Sequence, residues 1–133
     1  MFSTNYSYNN WVNNLIDFFQ IFEEYQPRIF KLQIQLSCDG PEYINDLGRG
    51  IGTSKKCCEN LDQLLKNIGT VLPSNVNLIF TTKPTLSIET INELQTQKKV
   101  EEYFQFFVDN FYNKINNLPF LNVSCSINPP NLA

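Results

Sequence analysis

Three segments of the chain alternate apolar and polar side chains, and this pattern constrains the fold more tightly than any other feature of the sequence. They run from about Ile29 to Cys38, from Asn75 to Thr82 and from Leu121 to Ile127. An alternation with a period of two predicts β-strands with two unlike faces. Strands that helices cover on both sides are apolar on both faces, so these three do not fit a doubly covered open sheet.

Helical periodicity fills the segments around these strands. Apolar residues recur every three or four positions from about Asn10 to Tyr25, from Thr53 to Gly69 and from Ile88 to Leu118. The polar stretch from Gln95 to Lys99 predicts a break in the last segment. The segment from Phe2 to Tyr8 fits either the end of a strand or a loop, and its pattern leaves both open.

Several residues predict where the helices begin and end. Asn9 or Asn10 is suited to cap the first helix, and Thr53 or Ser54 the second, because short polar side chains accept hydrogen bonds from the free N–H groups of a first turn. Gly69 stands where the left-handed residue after a helix belongs.

The order of these elements predicts the fold class, which is α/β. The helices are long enough to serve as crossovers between parallel strands. Because each strand has one polar face, we expect the helices to pack on the outside of a curved sheet whose inner face is a polar, ligand-holding lumen. Three such strands would leave two bare sheet edges, so the chain is expected to be an arc of a barrel and a partial domain, spanning residues 1–133.

The charge of the chain argues against nucleic-acid and membrane partners. Ten Lys plus Arg and thirteen Asp plus Glu give a net charge of −3, with no basic cluster beyond two Lys-Lys pairs. Nucleic acid and anionic lipid attract concentrated positive charge instead. No apolar run approaches the roughly 20 residues that span a bilayer, and the Asn-rich start lacks a charged leader followed by an apolar stretch. We therefore expect a cytoplasmic protein.

The cysteine and histidine content limits the chemistry. The chain has no His, which removes the commonest general base and nitrogen ligand. The four cysteines match neither a CxxC pair nor a compact disulfide framework, so reduced thiols are expected. We expect Cys57, Cys58 and Cys125 to pack in or near the core.

The first predicted strand ends in the candidate binding residues. Ser37 and Asp39 lie two positions apart, so they share its polar face at the carboxyl end, where parallel α/β proteins bind ligands. Asp39-Gly40 is also a hairpin signal, but Pro41 would occupy the position whose N–H closes the turn, and proline has none. In the predicted loop that follows, we interpret Asp46 and Arg49 as a solvated pair with at most a local salt bridge.

These residues resemble a known family. Ser37-Cys38-Asp39-Gly40-Pro41, followed by Asp46, Arg49 and Gly52-Thr53 before a helix, is similar to the fourth-strand region of radical S-adenosylmethionine enzymes, nearest the anaerobic sulfatase-maturing and other peptide-modifying members. The resemblance implies an arc of three β/α units from a partial TIM-like (β/α)₆ barrel. It also implies that Ser37 and Asp39 contact the cofactor S-adenosylmethionine.

The chain departs from this family at the iron-sulfur cluster. The family's CxxxCxxC motif, which holds a [4Fe-4S] cluster, has no counterpart here, and Asn45 stands where His is usual. Without three thiolates the cluster cannot be held. We therefore expect a partial core that contributes cofactor contacts without binding the cluster, and that is not catalytic by itself. The expected partner is the missing barrel half or a second copy of the chain.

A second interpretation belongs to a different class. The chain fits a small non-catalytic α/β protein that acts through self-association or partner binding. Five polar residues of the later strands then form a solvated sheet face instead of contacting a cofactor or substrate in a lumen: Asn77, Thr81, Asn122, Ser124 and Ser126.

Overall fold

The computed structural model of the chain describes residues 2–4, 11–128 and 131–132. The predicted cap at Asn9 or Asn10 lies outside these residues. The elements, in chain order, are β1 (Phe2–Thr4), α1 (Trp11–Glu23), β2 (Phe30–Leu36), α2 (Glu42–Arg49), α3 (Thr53–Val71), β3 (Val76–Thr82), β4 (Thr85–Leu86), α4 (Ile88–Glu93), α5 (Gln97–Phe107), a π-helical turn (Val108–Tyr112), α6 (Asn113–Asn116), β5 (Val123–Ile127) and β6 (Asn131–Leu132).

Four parallel strands form the main sheet in the order β1-β2-β3-β5, which is also their order in the chain. Each strand therefore pairs with the previous strand of this sheet, and the order never reverses. The segments between β1, β2, β3 and β5 all contain helices, as parallel connections require. The short strands β4 and β6 pair with each other in a separate parallel ladder.

The hydrophobic core lies on one face of this sheet. Ile34, Phe80 and Cys125 occupy one register row across β2, β3 and β5, and all three are buried. Helices α1, α2, α3, α5, α6 and the π-helical turn all contribute buried side chains to the same core. The larger helical contributors are Leu15, Phe19, Leu61, Leu64, Ile68, Tyr103, Phe107, Phe111 and Ile115.

The opposite face, which we call the polar sheet face, carries the alternate residues of the same strands. The two register rows that cross β2, β3 and β5 on this face are Gln33, Ile79 and Ser124, then Gln35, Thr81 and Ser126. The two serines are exposed, the glutamines and Ile79 are half-buried, and Thr81 is buried. The predicted division of each strand into an apolar and a polar face is therefore confirmed, as is the parallel α/β class.

Two features between the predicted elements differ from expectation. The stretch from Gly40 to Gly52, predicted as a loop, contains the eight-residue helix α2. Two turns are too short for helical periodicity to stand out, and α2 buries only Ile44 and Asn45. Gly69 does not end its helix, since α3 continues to Val71. A Cβ at Gly69 would lie 2.5 Å from the tip of the Phe120 ring, so glycine lets this ring pack directly against the helix.

The β5 edge of the sheet has fewer free backbone N–H and C=O groups than the prediction of two bare edges implied. The side-chain amide of Asn116 donates to the backbone carbonyl of Cys125 and accepts from its N–H, at 3.1 and 2.9 Å. The N–H of Val123 donates to the carbonyl of Phe120 at 3.4 Å. These contacts occupy three of the backbone groups that a further strand would use. Among the described helices, none has the length and apolar character needed to cross a membrane.

Candidate functional site

Asp39 lies just beyond the carboxyl end of β2, where its side chain joins three segments of the chain. The Nε of Arg49 donates to Oδ2 at 2.8 Å, and an Nη of the same guanidinium donates to Oδ1 at 3.3 Å. The backbone N–H of Thr85 also donates to Oδ1, at 3.1 Å. The carboxylate therefore ties the end of β2 to the last residue of α2 and to the segment after β3.

Arg49 and Asp46 do not form the solvated pair that the sequence suggested, because each has another partner. Arg49 binds Asp39, and this pairing raises the pKa of the guanidinium. Asp46 instead accepts hydrogen bonds at the start of α3, from the N–H groups of Gly52 and Ser54 at 2.8 and 3.0 Å and from the hydroxyl of Thr53 at 3.2 Å.

Asp46 therefore replaces the cap that Thr53 or Ser54 was predicted to provide. The residue before α3 is Gly52, which has no side chain to accept these hydrogen bonds. Burial raises the pKa of Asp46, but the hydrogen bonds from Asn45, Ser54, Gly52 and Thr53 outweigh it, and the net pKa is lowered.

Asn45 connects this cap to the end of β2. Its Oδ1 accepts from the backbone N–H of Asp39 at 3.0 Å, and its Nδ2 donates to Asp46 and Thr53 at 3.0 and 2.9 Å. Asn45 is 1% exposed, so these contacts are sheltered from water. Asn45, which stands where the family that the sequence resembles usually has His, is thus a structural link between the end of β2 and the start of α3.

Gly40, in the segment after β2, allows helix α5 to pack closely against this segment. Its φ of +143° is one that residues with side chains rarely adopt, and an added Cβ would lie 2.9 Å from the ring of Tyr103. The carbonyl of Gly40 accepts from the hydroxyl of Ser54 at 3.1 Å and from the thiol of Cys38 at 3.4 Å. Tyr103 is 1% exposed, and its hydroxyl has no hydrogen-bond partner among the described residues.

Two buried thiols, those of Cys38 and Cys57, lie next to each other between the segment after β2 and helix α3. Cys57 lies one turn after Ser54 on the buried face of α3 and hydrogen-bonds with Cys38. The hydrogen bond from Cys57 lowers the pKa of Cys38 despite burial, and the same bond raises the pKa of Cys57. Burial raises the pKa of both Cys58 and Cys125 to about 12. Cys57 and Cys125 are buried and Cys58 half-buried, which confirms the predicted packing.

A cavity of about 470 Å³ opens beside Asp39, and we call it the Asp39 cavity. One wall comes from α2 and consists of Ile44, Leu47 and Gly48. The other follows β3 and consists of Thr85, Ser87, Glu89 and Thr90. The cavity lies at the carboxyl end of the parallel strands and falls in the size range of small-molecule sites.

Of the two predicted binding residues, one lines the Asp39 cavity and the other does not. Asp39 lines the cavity, whereas Ser37 is half-buried in the segment after β2 and does not line it. Sequence reasoning missed Ser87, Glu89 and Thr90, which adjoin Asp39 only through the fold. The one available signal was Ser87 before an acidic first turn, a pattern typical of a helix start, and its hydroxyl accepts from the Thr90 N–H at the start of α4.

The described residues do not fit an iron-sulfur cluster. They contain no group of three or more His, Cys, Asp or Glu side chains that could hold a metal ion. Cys38 and Cys57 adjoin each other, but a cluster of the [4Fe-4S] type needs at least three thiolates here, and no third thiolate joins them in such a group.

Comparisons of the chain with protein-family models, with curated proteins and with solved structures gave no match.

Proposed function

We propose that the chain is a portion of a radical S-adenosylmethionine enzyme core that contributes contacts to S-adenosylmethionine and lacks the cluster-binding part. In this proposal the sheet is an arc of a partial (β/α)₆ barrel. The observation that carries it is the sheet itself. Its strands follow one another in chain order, helices cover one face, and the other face is polar.

The constant strand order supports an arc of a barrel over an open doubly wound sheet. Doubly wound sheets reverse their strand order at a switch point and place helices on both faces. A barrel keeps the order constant, places its helices outside and directs alternate residues inward. The rows Gln33, Ile79, Ser124 and Gln35, Thr81, Ser126 are then the inward-facing residues.

Asp39 fits a hydrogen-bonding contact to the cofactor. A carboxylate offers about four acceptor positions, and Arg49 and Thr85 occupy three of them. One position remains for a hydroxyl or ammonium group of a ligand in the Asp39 cavity. When bound, the cofactor would supply the reactive group. The chain itself supplies hydrogen bonds and a shaped wall, and we expect no catalysis from it alone.

Isothermal titration with S-adenosylmethionine tests the proposal. We expect measurable binding that Ser37→Ala and Asp39→Asn both weaken, while the control Asp17→Asn, on the exposed side of α1, leaves it unchanged. Thermal unfolding of each variant separates lost binding from lost stability. No binding to the wild-type chain, or equal binding by all variants, would contradict the proposal.

A second function is favoured by the uncovered polar sheet face and by the short edge strand β1. A non-catalytic protein could cover both by self-association or by binding a partner. Size-exclusion chromatography with light scattering, together with the titration, distinguishes the first proposed function from the second. A stable dimer without affinity for S-adenosylmethionine would support the second function, and a monomer that binds it would support the first.

A further inference from the structure

We propose that the Asp39 cavity binds an organic monocation and that Glu89 is the residue that selects its charge. This inference deepens the proposed function and rests on it in taking this cavity as the ligand site. Its test uses probes other than S-adenosylmethionine, so the two proposals can fail separately.

The charges around the cavity do not balance. Of the residues that line it, only Asp39 and Glu89 are charged. Asp39 is neutralised by the guanidinium of Arg49, which contacts it at two points. Glu89 is exposed and forms no ion pair among the described residues. The cavity therefore keeps one uncompensated negative charge, which attracts a cation and repels an anion.

The opposite wall determines what kind of cation fits. Ile44 and Leu47 face the cavity, and Leu47 leaves 63% of its surface exposed. A ligand that carries an aliphatic or aromatic arm would remove this apolar surface from water, which favours binding. A hydrated metal ion has no such arm, and the described residues hold no group of three metal-binding side chains. The lining therefore favours an organic cation over a metal ion.

Polar groups beside Glu89 supply the remaining contacts. Ser87 and Thr90 line the same wall, and their hydroxyls lie 3.1 Å apart and hydrogen-bond to each other. The Ser87 hydroxyl already accepts from the Thr90 N–H, so the two hydroxyls each keep one free lone pair for an ammonium N–H when Ser87 donates to Thr90. The acceptors thus lie on one wall and the apolar surface on the other, as an amphipathic cation requires.

Three probes of similar size and different charge test this inference: n-butylammonium, n-butanol and butyrate. Each is titrated into the ¹⁵N-labelled protein at constant ionic strength, and the amide shifts of Leu47, Gly48, Thr85 and Glu89 are followed. We expect saturable shifts with n-butylammonium, weaker ones with n-butanol and none with butyrate. Glu89→Gln should weaken n-butylammonium binding about twofold to fivefold, as the loss of a partly exposed ion pair predicts.

Two variants complete the test. Glu93→Gln is the matched control, since Glu93 lies on the same helix, pairs with Lys99 and does not line the cavity. Glu89→Lys should reverse the preference, so that butyrate binds better than n-butylammonium. Equal shifts from butyrate and n-butylammonium in the wild-type protein, or no effect of either change at Glu89, would overturn the inference. Binding of n-butylammonium without binding of S-adenosylmethionine would leave it standing and defeat the proposed function.

Discussion

Asp39 and Arg49, ten residues apart in the chain, form a two-point ion pair with N–O distances of 2.8 and 3.3 Å. The pair fastens the last residue of α2 to the end of β2. It also leaves Oδ1 placed to accept the N–H of Thr85, which draws the segment after β3 to the same carboxylate. One side chain therefore holds both walls of the Asp39 cavity in place.

The geometry of this pair predicts that Arg49→Lys is not a conservative change. Lysine keeps the charge but lacks the planar fork that contacts both carboxylate oxygens. Because both side chains are partly exposed, we expect Arg49→Lys to lower the free energy of unfolding by roughly 0.2–1 kcal/mol. Urea denaturation measures it, with Lys55→Arg as the exposed control. A variant as stable as the wild-type protein, with an unshifted Thr85 amide resonance, would show that the fork has no role.

Removal of the Asp46 cap should destabilise α3. Asp46→Ala leaves the N–H groups of Gly52 and Ser54 without their acceptor, and loss of such a cap typically costs about 1 kcal/mol. Urea denaturation near neutral pH provides the measurement. The exposed Asp17→Ala serves as control, and equal stability of the two variants would contradict the assignment of Asp46 as the cap.

The same cap predicts a dependence on pH. The pKa of Asp46 in the folded protein lies below its ordinary value of 3.8, so the unfolded chain takes up the proton first as the pH falls. The stabilisation is therefore present above about pH 4 and is lost as the pH falls through the lowered pKa. We expect the stability difference between the wild-type protein and Asp46→Ala to shrink at acid pH. A difference that stays constant down to about pH 2.5 would contradict this.

The Tyr103 hydroxyl should be dispensable for stability. It is buried and has no hydrogen-bond partner among the described residues, so Tyr103→Phe removes a desolvated polar atom and keeps the ring against Gly40. We expect an unchanged or higher unfolding temperature. Tyr103→Ala, which removes the ring, should cost about 3–5 kcal/mol. A large loss of stability in Tyr103→Phe would reveal a hydrogen bond that the structure does not contain.

Asn116 should limit association through the β5 edge. Asn116→Ala frees both backbone groups of Cys125, which can then pair with another strand. We expect more self-association at a given concentration and a loss of about 1–2 kcal/mol in stability. Light scattering and urea denaturation measure these effects, with the exposed Asn113→Ala as control. An unchanged mass and stability would show that the amide does not protect the edge.

The faces of the strands and the break between α4 and α5 could be predicted because they depend on local periodicity. Lys31, Gln33 and Gln35 alternate with the apolar residues of β2 regardless of what surrounds them. The candidate site was harder to predict. Asp39 pairs with Arg49 instead of remaining free, and it adjoins Glu89, fifty positions away. Such contacts depend on how distant loops pack against each other, and the hydrophobic periodicity of a sequence does not indicate this.

We propose that a small molecule binds at the carboxyl end of the sheet, and an amide shift map with S-adenosylmethionine measures this binding residue by residue. We expect shifts at residues 37–40 and 85–90, around Asp39 and the second wall of its cavity. Shifts confined to the amino ends of the strands or to α1, or no shifts at saturating cofactor, would contradict it.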